Sequence, residues 1–113
     1  MRYALFVCAE ENEELTEEQI QERLEAFMGF QTDMEARGAV VTLQRLQPTS
    51  TATKLRKRDG GLVVADGPFA ETREQIAGFY VLECEDLDEA LEFAARNPAA
   101  EFGTVEVRPV WTG

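Results

Sequence analysis

The chain opens with Tyr3-Ala4-Leu5-Phe6-Val7-Cys8, an unbroken apolar run that reads as a strand covered on both faces. An acidic connection follows, from Glu10 to Glu14. Thr16-Glu17-Glu18-Gln19 then has the form of a capping box, in which the Thr oxygen accepts a first-turn N–H and Gln19 reaches back. Ile20, Leu24, Phe27, Met28, Gln31 and Met34 recur at helical spacing, and Gly38 supplies a stop. A helix is expected over about residues 16 to 36, with Glu18, Glu22 and Glu25 on its wet side and Met28 and Met34 as core filler.

Ala39-Val40-Val41-Thr42-Leu43 predicts a second strand, ended by Pro48, and Thr49-Ser50-Thr51 a loop. Lys54 to Arg58, the turn Asp59-Gly60-Gly61 and Leu62 to Ala65 predict a hairpin. Its first arm is basic, which suits either a solvated edge that discourages strand addition or an anion contact. Asp66-Gly67-Pro68-Phe69-Ala70-Glu71-Thr72 is too rich in Gly and Pro to continue a strand. Ala77 to Cys84 is again apolar throughout. Asp86 can cap a second helix with Leu87, Ala90, Leu91, Ala94 and Ala95 as its stripe and Asn97-Pro98 as its end. Thr104 to Val110 alternates and closes the chain as a strand.

The order β-α-β, hairpin, β-α-β fits an α+β fold, the ferredoxin-like βαββαβ plait with an extra β-hairpin. Helices in that plait cover one face of the sheet only. Strands that are apolar on both sides therefore need a second cover, and a second copy of the sheet is the simplest. A homodimer joined sheet to sheet is expected, burying on the order of 1,200 to 2,000 Å² or more.

At 113 residues the chain makes one domain, and 44% hydrophobic with 29% charged residues fits a folded soluble one. No run reaches the roughly 18 apolar residues of a membrane span. Acids follow the first apolar run and no small-residue cleavage site appears, so a cytoplasmic location is expected. Eleven Lys and Arg against 22 Asp and Glu leave a net charge of -11, which argues against a nucleic-acid partner. Histidine is absent, which excludes Ser-His-Asp and Cys-His catalysis and His-ligated zinc. Cys8 and Cys84 have no CxxC spacing and read as buried free thiols. No phosphate-loop pattern and no DxDxDG-type spacing occurs, so neither a metal site nor a cofactor is expected.

One long string is more specific. Asp66-Gly67-Pro68-Phe69-Ala70-Glu71-Thr72-Arg73-Glu74-Gln75-Ile76-Ala77-Gly78-Phe79-Tyr80 resembles the signature of the DGPF branch of the YCII-related family. Met1-Arg2-Tyr3, Leu46-Gln47-Pro48 with Thr51-Ala52-Thr53, and Phe102 to Pro109 add to the likeness, which spans nearly the whole chain. The resemblance implies a ferredoxin-like subunit of a dimeric α/β barrel. It also implies, for better-understood members, a His from the first helix paired with an Asp from an Asp-Pro turn after the second, and in some of them halide elimination from aromatic-derived rings. Neither half of that dyad is present. The first helix lacks His, and the turn reads Asn97-Pro98, whose amide cannot serve as a carboxylate base. DGPF proteins are often encoded beside extracytoplasmic-function sigma factors, so the resemblance extends to a possible regulatory link.

Two readings of Asp66-Gly67-Pro68-Phe69 stay open. In one it is a rigid corner that sets the entry of the next strand, with Phe69 plugging the core. In the other, Asp66 and Glu71 sit in a cleft as general base or cation ligand. Ligand-binding candidates are Arg45, Asp66, Phe69, Glu71 and Tyr80. Arg45, Arg73 and Arg108 can hold a carboxylate or phosphate in a two-pronged contact, or pair with the chain's own acids. Three function classes follow: a small-molecule-binding or regulatory module, a YCII-like lyase or hydrolase working through carboxylates, and a scaffold subunit.

Overall fold

The computed structural model describes residues 1–112. β1 (Arg2–Ala9), β2 (Val40–Arg45), β5 (Gln75–Glu83) and β6 (Thr104–Pro109) form one antiparallel sheet in the order β2-β5-β1-β6. α1 (Glu17–Ala36), α2 (Leu87–Arg96) and a short α3 (Ala99–Phe102) complete the βαββαβ plait. β3 (Thr53–Arg58) and β4 (Gly61–Asp66) pair only with each other, as a separate two-stranded ribbon between β2 and β5. Its two-residue turn, Asp59-Gly60, has positive φ at both positions, the geometry that matches the twist of a hairpin. No described helix is long and apolar enough to cross a membrane.

Local sequence sets the helix starts. The Thr16 hydroxyl accepts the Gln19 N–H at 3.1 Å while the Gln19 side chain accepts the Thr16 N–H at 2.9 Å, closing the capping box. Asp86 caps α2 by accepting the Glu89 N–H at 2.9 Å. Asn97 ends α2 and its Oδ1 accepts the Ala99 N–H at 3.0 Å, so the same residue starts α3. That extra helical turn is absent from the sequence pattern because Pro98, read as a stop, also stands at the N-cap of a new helix with φ and ψ already helical.

The core lies between the helices and one face of the sheet. Tyr3, Leu5 and Val7 of β1 oppose Leu82, Tyr80 and Gly78 of β5, and Phe30, Met34, Phe93 and Ala94 close over them. The other face presents Ala4, Phe6, Phe79 and Val81, all half-buried, inside a rim of Thr42, Gln44, Thr104, Glu106 and Arg108. The molecule is accordingly flat, 48 × 45 × 18 Å, with a radius of gyration of 16.1 Å. A compact chain of this length would have about 13 Å.

Three packing expectations need correction. Met28 is not core filler: it is 66% exposed, and Ile20 and Leu24 are exposed with it. The first half of α1 stands off the sheet, and only Phe30 and Met34 are buried. On α2 the buried stripe is Ala90, Phe93 and Ala94, while Leu87 and Leu91 face outward. Ala90, Phe93 and Ala94 share the face turned to the sheet, and Leu87 and Leu91, one turn apart, lie to one side of it. Phe69 does not plug the core either. It is 83% exposed, with the Arg56 guanidinium 6.0 Å from its ring.

Candidate functional site

The lifted half of α1 leaves a cleft of about 490 Å³ between the helix and the sheet. Ile20, Leu24, Phe27 and Met28 form its roof, and Val7, Leu43 and Tyr80 its floor. The floor owes its depth to one position. Val7, Gly78 and Arg45 lie side by side across β1, β5 and β2, so the middle of that row carries no side chain. A Cβ at Gly78 would come within 2.8 Å of the Gln44 carbonyl oxygen, so even alanine would push β2 away.

One end of the cleft is closed by a stack. Arg23 donates to both carboxylate oxygens of Glu13 at 3.1 Å and lies 3.7 Å above the Phe102 ring. Phe102 in turn meets Phe27 edge to face, with ring centres 6.1 Å apart. Arg23 is thereby neutralised. Arg45 is not: among the described residues it has no carboxylate or hydrogen-bond partner. No described Asp or Glu lines the cleft, in a chain with twice as many acids as bases.

Tyr80 is the second polar group of the floor. Its ring packs edge to face on Phe30 at 5.2 Å, and burial pushes its hydroxyl pKa above the usual value. The phenol therefore stays protonated near neutrality and acts as a hydrogen-bond donor. The adjacent Asn97 amide opposes that shift, yet among the described residues no atom completes a well-formed hydrogen bond to Asn97 Nδ2. Asn97 is 1% exposed, so a buried N–H donor is left free beside the Tyr80 side chain.

Of the residues singled out in the sequence, Arg45 and Tyr80 come together at the cleft. Asp66 ends β4 and is exposed, and neither it, Phe69 nor Glu71 lines the cleft. The corner is tied down instead by the Gly67 N–H, which donates to the Ala52 carbonyl at 2.8 Å. Arg73 pairs with Glu10 and Arg108 with Glu106, so both take the chain's own acids as partners. Gly78 was not legible as a site residue, and Asn97 only through the family resemblance, as the amide standing where other members carry an Asp. No described cluster of three or more Cys, Asp or Glu side chains is placed to hold a metal ion.

Both thiols are free, Cys84 buried and Cys8 half-buried on the open sheet face. Burial pushes both pKa values up, and for Cys8 the Glu106 and Glu74 carboxylates add to it. The protonated thiol is a poor nucleophile. Iodoacetamide at pH 7.5 is expected to label Cys84 in the native protein at least about tenfold more slowly than in the denatured chain. Equal rates, followed by mass spectrometry, would contradict this.

The YCII-related domain pattern matches residues 1–112. The chain belongs to the YCII-related family. An uncharacterized protein of Rhizobium meliloti (strain 1021) is 48% identical over 75 residues, which are 65% of this chain and 60% of that protein. The chain thus spans less than two thirds of that relative. The 5-chloro-2-hydroxyhydroquinone dehydrochlorinase of Burkholderia phenoliruptrix AC1100, solved with 2,5-dihydroxybenzoquinone, aligns over 100% of this chain and 96% of its own. The TM-score is 0.54 at 14% identity, a likeness of fold.

Proposed function

We propose that this YCII-related protein is a cytoplasmic, homodimeric small-molecule-binding module whose ligand has an apolar, ring-sized body and one anionic group. The observation that carries this reading is the charge of the cleft. Arg23 is held by Glu13, but Arg45 has no carboxylate partner among the described residues and lines an apolar cavity that no described Asp or Glu enters, in a chain of net charge -11. The volume, about 490 Å³, lies within the range of pockets that enclose small organic ligands. Phe27, Leu43 and Met28 suit a ring, Arg45 suits a carboxylate, and Tyr80 can donate to a second oxygen. The ring-shaped, oxygenated ligand held by the related dehydrochlorinase is of comparable kind.

A turnover reading finds less support. Asp66 and Glu71 lie away from the cleft, and no histidine exists to take a proton. The homodimer reading rests on the half-buried Phe6, Phe79, Ala4 and Val81 of the open sheet face. A regulatory link to a sigma factor stays with the DGPF resemblance alone.

The test is titration calorimetry with an aryl carboxylate such as 4-hydroxybenzoate and with its uncharged amide. The carboxylate is expected to bind more tightly. Arg45→Gln is expected to weaken it about tenfold, ~1.4 kcal/mol, without affecting the amide. Equal affinities, or an unaltered Arg45→Gln variant, would remove the anion from the reading.

A further inference from the structure

We infer that the β3–β4 ribbon is a docking arm whose partner is a second copy of this chain. The arm has two unlike faces. Leu55 opposite Val64 and Lys57 opposite Leu62 put three large apolar side chains on one side, all of them more than half exposed. Lys54, Arg56 and Arg58 fall on the other side with Val63, and Lys54 Nζ there reaches the Pro68 carbonyl at 3.5 Å. The first side is thus mainly apolar with Lys57 at its edge, and the second mainly basic. A two-stranded ribbon with its apolar face in water is marginal at best, so the arm calls for a surface to lie on.

Charge says which surface. The arm, residues 53–66, holds four of the eleven basic residues and two of the 22 acids, leaving seven bases against 20 acids elsewhere. The rest of this chain is therefore a strongly acidic body with an apolar, half-buried sheet face. It complements the arm in both respects, and it is present at the arm's own concentration. Two copies exchanging arms would cover what each leaves open, while Gly67 ties the arm's base to Ala52 and Lys54 of the arm reaches the Pro68 carbonyl.

The inference builds on the homodimer reading above, and the experiment separates the two. Sedimentation velocity over a wide concentration range compares the wild type with a variant carrying Leu55→Asp and Leu62→Asp. Leu91→Asp, on the exposed side of α2, serves as the control. The arm variant is expected to dimerise at least tenfold more weakly, and the control as the wild type does. Raising the salt from 50 to 500 mM should weaken the wild-type dimer, as ion pairs across the contact require. Hydrogen exchange of residues 53–66 in the wild type should slow in the dimer and speed up on dilution to monomer. A dimer of unchanged affinity in the arm variant overturns the arm and leaves the sheet-face dimer standing. Arm amides equally protected in the monomer place the ribbon on its own body, and unprotected ones in the dimer leave it free; either overturns the inference. A wild type that is monomeric throughout ends both readings.

Discussion

Gly103→Ala is expected to cost more than about 3 kcal/mol, a large share of the roughly 5 to 15 kcal/mol that holds a domain of this size together. A Cβ at position 103 would stand 2.2 Å from the Cys8 carbonyl oxygen and 3.3 Å from the Ala9 Cα. Both obstacles are backbone, so no side chain can swing aside. Gly103 ends α3, its N–H donating to the Ala99 carbonyl at 2.7 Å, and the next residue, Thr104, pairs with Cys8 to begin the β1–β6 ladder. Relief would mean moving the edge strand from the sheet. Urea denaturation followed by circular dichroism should show a midpoint far below that of the wild type, or no folded baseline. A midpoint within error of the wild type would show that β6 can shift away from Cys8 at no cost.

Asn97→Asp should be the next most damaging change, at about 2 to 4 kcal/mol near neutrality. The side chain is 1% exposed, takes part in no ion pair among the described residues, and lies against Tyr80 and the Ala99 N–H. A carboxyl there would ionise reluctantly, so its pKa in the folded state would be raised above the unfolded value of about 3.9. A raised folded pKa means that the folded state holds the proton longer than the unfolded one. The penalty is then absent below pH 4, grows as pH climbs through the raised value, and is complete above it. Denaturation of both proteins at pH 4 and pH 7.5 checks the sign. A pH-independent difference would mean that the carboxylate finds a partner after the substitution.

The sequence carried the architecture because its signals are local. The capping box at Thr16, the Asp86 cap and the Asp59-Gly60 turn each act within a few residues, and all three occur where the pattern put them. What stayed hidden depends on what lies across a gap. Ile20, Leu24 and Met28 share a helix face with Phe27 and Met34, and periodicity reports that such a face is apolar, not whether anything touches it. Here half of that face roofs a cavity. Arg45 and Tyr80 were legible as polar interruptions of apolar strands. Gly78 and Gly103 were not, since each is set by a carbonyl from a segment remote in sequence. Asn97 was legible as a helix stop and as the amide replacing the family's Asp, and only burial marks it as a polar group without a full set of partners.

The lifted half of α1 has a thermodynamic meaning as well as a geometric one. Ile20, Leu24 and Met28 are helix residues without a core of their own, so a molecule lodged beneath them would supply the apolar contacts that the polypeptide omits. Occupancy and foldedness would then be coupled in one equilibrium, each strengthening the other as the concentration of guest rises. The empty chain is, in that sense, a protein short of one part.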